Sequence, residues 1–440
     1  MPRTQFPTAW TVLKRPLNDP QRSADPSVMS TVSEILTAIE RDGETAIRKY
    51  SAQFDSWDPP SFEITAEQVR QSEAALPVEF REAWDRSALT VRAFAEHQRS
   101  LLVDTTFEPR PGVTIGHRQV PIQRVGSYAP GGRYPLVSSP LMSVIVPKAA
   151  GVSEVVMCTP PQPGGDGPTP AMVWVGARAG ADAMFCIGGI PALAAMTFGL
   201  CGIEPVEFLC GAGNAYVAEA KRQLFGRVGI DLLAGPSEVA VLCDVTANPV
   251  LVAADLLGQA EHGPNSPASL ITTDAAMAYA VMAEIERQLP LLSTGEVAGA
   301  AWRDWGMVLV ARDRHEAVEI CDWIACEHLE VQTADDDWYA ARLRNYGSLF
   351  LGADSTVTYS DKGCTGTNHT LPTQGSARYT GGLSVAKFLK TLTWQRVHDP
   401  VAARQVAEDA AQFGAVDGLY GHALTAELRL QALDRLDQVG

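Results

Sequence analysis

Basic residues are in deficit in this chain: 35 Lys and Arg stand against 51 Asp and Glu, a formal net charge of −16. Such a surface repels phosphate backbones and anionic headgroups, which argues against a nucleic-acid or membrane partner. It still allows a local basic pocket for a small anion. Long apolar runs are missing too. None approaches the ~20 residues that cross a bilayer, and the opening stretch MPRTQFPTAWTVLKRPLNDP holds no apolar signal core. The eight cysteines form no C-x-x-C pair and no short framework spacing, so they read as small buried hydrophobes of a reducing compartment. No short-period repeat is present. A cytoplasmic globular protein acting on a small molecule is therefore expected, and 440 residues call for two or more domains.

What is present is a rhythm. Residues 28–54 are amphipathic and helical with a break at Gly43, and 63–103 continue as helices. Pro7, Pro16, Pro20 and Pro26 break any regular element before them. Residues 113–128 alternate as two strands. From there apolar strands such as EVVMCT, AMFCI, VEFLC, EVAVLCD, SLITT, MVLVA, LEVQT and SLFLG are separated by helical segments. Strands and helices alternating at this spacing signal βαβ units and parallel sheets. The fold class is α/β: two Rossmann-like doubly wound units, a helical N-terminal region and a small helical C-terminal segment. The expected boundaries are an extension over 1–27, a larger α/β domain from 28–125 plus 238–383, a smaller one at 126–237, and a helical segment at 384–440.

Several polar residues interrupt this pattern. In LLGQAEH, Gln259 and His262 are three apart and share one helical face. They read either as half of a metal site or as a polar helix end before Gly263-Pro264. Glu327-His328 stands where a helix gives way to a strand and offers two acid/base groups, or a surface pair. Asp361 and His369 lie in a glycine-spaced loop after SLFLG, a place that suits a ligand beyond the carboxyl ends of parallel strands. His422 closes DGLYGH late in the helical tail. Gln259, His262, Asp361 and His422 together offer mixed imidazole and oxygen ligation, which suits zinc with a position left for substrate. Gly211-Ala-Gly213-Asn214 follows a strand and opens a helix, where amides can meet a phosphate. It lacks the third glycine of G-x-G-x-x-G and reads equally as a tight turn.

Taken in order, SYAPGGRYP, GAGNAYV, AGPSEV, GQAEHGPNSPA, CEHLEV, GTNHTLPT and DGLYGHA resemble the histidinol dehydrogenase family over residues 28 to 430. The resemblance implies a zinc- and NAD-dependent enzyme. Such an enzyme oxidises a primary alcohol to a carboxylate in two hydride transfers without releasing the aldehyde. By motif match Gln259, His262, Asp361 and His422 are the zinc ligands. Glu327 and His328 are the acid/base pair, with His328 taking the hydroxyl proton and Glu327 activating water. Ser237, His369 and Asp417 fall at substrate-contacting positions, as do the ligands themselves and Lys362. NAD is expected against Tyr128, Pro130, Pro160 and Asn214. The family is a homodimer whose C-terminal segment crosses over, so His422 would complete the partner's site.

The chain departs from the family at Pro191, where a glutamine contacting the cofactor is expected, and at Ala212 in the family's GPGN. Asp361 is followed by Lys362 instead of Tyr, with one extra residue before GTNH. SYAPGGRYP and ARYTGGLSVAKFLKT resemble the sulfopropanediol 3-dehydrogenase branch. Arg133, Lys362, Arg378 and Lys387 are cations beside site motifs. They favour a small anionic hydroxymethyl substrate such as a sulfopropanediol over cationic histidinol. Asp417, where the family has a substrate-binding Glu, pulls the other way, towards L-histidinol. A non-catalytic binding protein on the same scaffold is the third reading.

Overall fold

A computed structural model describes residues 10–18, 26–131 and 135–437. Its strands are β1 (Thr11–Lys14), β2 (Thr105–Arg110), β3 (Val113–Pro121), β4 (Arg124–Tyr128), β5 (Glu154–Thr159), β6 (Ala183–Cys186) and β7 (Phe208–Cys210). They continue with β8 (Gly229–Ile230), β9 (Val239–Cys243), β10 (Ala268–Thr272), β11 (Met307–Val310), β12 (His328–Gln332), β13 (Ser348–Leu351) and β14 (Leu389–Val397). The chain divides into two compact units. One comprises the residues up to Arg99 plus Ile122–Phe388, the other Ser100–Pro121 plus the residues from Leu389 onward.

The first unit carries two sheets. The larger runs β1-β11-β10-β9-β12-β13, parallel except at the β1 edge. The smaller runs β6-β5-β4-β7-β8 and is parallel throughout. Each starts from a central strand (β9 or β4), adds strands to one side, then crosses to the other, so each has a point where the winding reverses. Helices cover the larger sheet on both faces. Strand alternation sends Val239, Val241 and Cys243 into one apolar layer and Ala240 and Leu242 into the other.

The helix Pro249–Ala260 lies in the first layer. Asn248 caps it, accepting from the Val250 amide at 3.0 Å, and Pro249 fills the first helical position, which needs no donor. Val252, Ala253, Leu256 and Leu257 bury its apolar face. Because it follows β9 and returns antiparallel, its C-terminal end reaches the amino edge of the sheet.

Two expectations about the chain ends are corrected. The prolines do not prevent a strand at Thr11–Lys14, which pairs antiparallel with β11. Residues 389–397, expected to be helical, form β14, paired residue for residue with β3 from Leu389↔Pro121 to Val397↔Val113. LKTLTWQRV is rich in Thr, Val and Trp, which suit a pleated surface, and a partner strand outweighs the helical rhythm read there. The second unit is this β14-β3-β2 sheet with the helices Pro400–Val416 and Tyr420–Asp437.

A buried ion pair holds the link between the two parallel sheets. Lys221 pairs with Asp231, and their side chains are 3% and 0% exposed. Lys221 also donates to the Gly211 carbonyl at 3.0 Å, and Asp231 accepts from the Gly211 and Leu232 amides. Lys221→Met should therefore cost about 3–5 kcal/mol, since it strands a buried carboxylate. Adding Asp231→Leu should recover much of that loss. Thermal and denaturant midpoints of the two variants would check this, and a double variant no better than the single would contradict it.

Candidate active site

The site is built on the amino edge of the larger sheet. Ser237 and Glu238 immediately precede β9, Glu327 immediately precedes β12, and His328 begins β12. The expectation from parallel-sheet geometry was the carboxyl edge; the returning helix explains the difference. It delivers Gln259 and His262 to the amino edge, and the C-terminal end of the short helix Val357–Asp361 delivers Asp361 there too.

Glu327 is buried, and its Oε2 accepts from the Ser237 hydroxyl at 2.7 Å and the Glu238 amide at 2.9 Å. Gln259 in turn donates to the Ser237 oxygen. His328 is 1% exposed, and its Nδ1 lies 3.1 Å from the Glu238 carbonyl. A carbonyl only accepts, so Nδ1 carries the proton and Nε2 is the basic nitrogen. Nε2 is buried without a hydrogen-bond partner, 3.8 Å from Asp361 Oδ1. Burial pulls the ring towards neutrality. The charge and hydrogen bond of Glu327, with Asp361 behind, outweigh that and raise its pKa to about 9. Glu327 precedes the strand, so strand alternation does not part it from His328, and its carboxylate lies 3.4 Å from Nδ1.

His262 Nε2 and Asp361 Oδ2 stand 3.6 Å apart, too far for a hydrogen bond but close enough to share a small cation. Both line one cleft with Gln259, Asp255, Glu261 and Lys362. His369 Nδ1 is also buried without a partner, and burial holds its ring below the usual histidine range. Two orphaned imidazole nitrogens beside a carboxylate, a carboxamide and a third imidazole fit a bound zinc and a substrate better than a protein-only core. Among the described residues no three His, Cys, Asp or Glu side chains converge on one point. The first unit supplies two of that kind plus Gln259. His422 and Asp417 lie in the second unit, at or beside its last helix.

The residues expected to meet NAD gather at the carboxyl edge of the smaller sheet. Tyr128 ends β4, Pro160 follows β5, and Asn214 caps the helix Ala215–Leu224. Gly211 has φ +116, and a Cβ there would lie 2.1 Å from the Tyr128 carbonyl oxygen. A Cβ on Gly131, next to Pro130, would meet Pro160 at 3.4 Å. These bare backbones let their loops pack directly on β4 and Pro160 at the point where the winding reverses, the position at which doubly wound sheets take a dinucleotide. The Tyr128 hydroxyl accepts from the Gly189 amide at 3.0 Å, so it braces the Gly188-Gly189 turn. Pro191 is the third residue of the helix Gly189–Phe198, in the first turn, where no backbone donor is needed.

Of the four cations expected near substrate, Lys362 lines the cleft. Arg378 donates to the Gly375 and Trp323 carbonyls, and Lys387 to the Thr380 hydroxyl. Arg133 lies outside the described residues. Sequence reasoning missed Glu238, 2% exposed, whose amide and carbonyl hold Glu327 and His328 while its carboxylate holds Gln374. Its signal was an acid placed directly before a wholly apolar strand.

The profile of the histidinol dehydrogenase family matches residues 18–430. A histidinol dehydrogenase homolog of Shouchella clausii is 47% identical over 92% of this chain and 94% of its own. A sulfopropanediol 3-dehydrogenase of Ruegeria pomeroyi is 44% identical over 92% of both chains. The crystal structure of histidinol dehydrogenase from Elizabethkingia anophelis superposes with a TM-score of 0.88 at 31% identity, covering 96% of this chain and 95% of that one. With identity, coverage and fold in agreement, the chain belongs to the histidinol dehydrogenase family of oxidoreductases.

Proposed function

We propose that this protein is a zinc- and NAD-dependent dehydrogenase that oxidises a small anionic primary alcohol to its carboxylate through a retained aldehyde. The observation that carries the reading is the amino-edge cleft, where Gln259, His262 and Asp361 face the Glu327-His328 pair. Zinc held by those three and a fourth donor would act as a Lewis acid on the substrate oxygen. NAD at the smaller sheet would accept each hydride.

The chain's own residues handle the protons. His328, fixed by the Glu238 carbonyl, presents Nε2 to take the hydroxyl proton as the C–H bond gives up its hydride, a role of its neutral form that strengthens as pH rises towards about 9. Glu327 takes a proton from water as it adds to the aldehyde carbon. The hydrate then loses its second hydride, with His328 again as base, and leaves as the carboxylate. Ser237 and the Glu238 amide keep Glu327 oriented between the steps. We place the fourth ligand, His422, on a second copy of the chain. The last two helices leave Val401, Phe413, Val416, Leu419, Tyr420 and Leu424 exposed, an apolar surface that a homodimer would cover.

An anionic substrate follows from Lys362 on the cleft wall and from the sulfopropanediol dehydrogenase of Ruegeria pomeroyi among the relatives. L-Histidinol is the second reading, favoured by Asp255 and Glu261 on the same wall. NADH formation from 2,3-dihydroxypropane-1-sulfonate and from L-histidinol, with zinc and NAD supplied, separates them. Faster turnover of the sulfonate is expected, and turnover of histidinol alone would overturn the anionic assignment.

Glu327→Gln should slow the second oxidation at least ~100-fold while sparing the first. Single-turnover kinetics would then show one NADH per site forming at close to the wild-type rate. Two at that rate would contradict the water-activating role. Lys362→Ala should raise KM for the sulfonate about five- to tenfold, roughly 1 kcal/mol for a half-exposed ion pair, without changing KM for a neutral diol. Equal effects on both substrates would remove Lys362 from substrate recognition.

A further inference from the structure

A pair of acids, Glu330 buried and Asp255 half-buried on the cleft wall, is used by none of the steps above. Glu330 sits in the middle of β12 with no exposed surface. Leu329 and Val331 belong to the apolar layer on one face of β12. Alternation therefore turns His328, Glu330 and Gln332 together towards the helix Pro249–Ala260. That helix answers with Asp255 and Gln259, four apart on one stripe, and His262 follows in the turn at its end. Two polar stripes thus face each other, and the cleft runs along the helix stripe from Asp255 to His262.

The inner end is closed by hydrogen bonds. Gln332 Nε2 donates to Asp255 Oδ2 at 2.8 Å and to Glu330 Oε2 at 3.2 Å. Thr356 donates its hydroxyl to Asp255 Oδ1 at 2.9 Å. The Val357 amide donates to Glu330 Oε1 at 2.9 Å. Thr356 is the capping residue of the helix Val357–Asp361, yet its side chain does not cap that helix, because it points to Asp255 instead. Both residues that start this short helix are therefore tied to the acid pair, and one turn later the helix ends at Asp361.

We infer that Asp255 and Glu330 form a positioning clamp that anchors the start of the helix Val357–Asp361 and thereby sets Asp361 within reach of His262 and His328. Burial, with the Asp255 carboxylate adding to it, pushes Glu330 up to about 8. Near neutral pH Glu330 therefore carries a proton, and the pair does not oppose two full charges. The inference rests on the reading of Asp361 as a metal ligand.

The test is zinc affinity of the full-length protein, measured by competition with a chromophoric chelator, together with circular dichroism. Glu330→Ala should weaken zinc binding about 10- to 100-fold, the usual cost of losing a group that orients a ligand. Glu330→Gln keeps a hydrogen-bonding oxygen for Val357 and should retain wild-type affinity. Wild-type affinity in Glu330→Ala, or equal loss in both variants, would overturn the clamp. Should Glu330→Ala fail to fold, Thr356→Val removes only the hydroxyl that reaches Asp255, and it should weaken zinc binding in the same direction; unchanged affinity there would also overturn it. Asp361→Ala separates the two levels. If it binds zinc as the wild type does, the ligand reading falls and the clamp with it. If it loses zinc while Glu330→Ala does not, the clamp alone falls.

Discussion

Residues 237 and 238 are the constraint on which the rest of the site depends. The Ser237 hydroxyl and the Glu238 amide converge on one oxygen of Glu327, while the Glu238 carbonyl takes the proton of His328 Nδ1. The Glu238 carboxylate accepts from the Gln374 amide, and Ser237 accepts from Gln259. Two consecutive residues thus bind three segments far apart in sequence, around Gln259, Glu327-His328 and Gln374. Each bond satisfies a polar group in a dry place, where leaving it unmet would cost about 1–3 kcal/mol. Moving any one segment would strand a polar group on another, which keeps the acid and the base in register.

The same residues join the two sheets. Chain leaving β8 at the carboxyl edge of the smaller sheet enters β9 at the amino edge of the larger one through residues 231–238. Eight extended residues span at most about 28 Å. The edge proposed to hold the dinucleotide and the edge that carries Glu327 and His328 are therefore kept within that distance by covalent connection alone. The Lys221–Asp231 pair fixes the start of that link and the turn at Gly211 together. The division of labour in the proposed reaction, with hydride at one sheet and protons at the other, follows from this path.

Much of this was legible in the sequence. Gln259 on a helix that follows an apolar strand is a local fact, and local rules read it correctly; His262, expected on the same helical face, falls in the turn just past the helix end. Buried parallel strands such as VAVLC announced themselves as apolar runs. The edge on which the site would form was not legible, because it depends on the direction of a returning helix and not on any residue's own preference. Residues 389–397 looked like part of a helical tail for a similar reason, since their partner β3 lies more than 250 positions earlier. Glu238 and Glu330 were overlooked because a single acid beside or within an apolar strand has no periodicity to betray it. Their meaning comes only from donors brought in by other segments.

The central claim is that Gln259, His262 and Asp361 hold zinc in front of Glu327 and His328. Diffraction from zinc-loaded crystals, with anomalous data across the zinc edge, addresses it directly. A single strong peak is expected about 2.0–2.2 Å from a nitrogen of His262 and an oxygen each of Gln259 and Asp361, with His422 of a second copy completing the set. A peak on other residues, or none in protein that is catalytically active, would contradict the account.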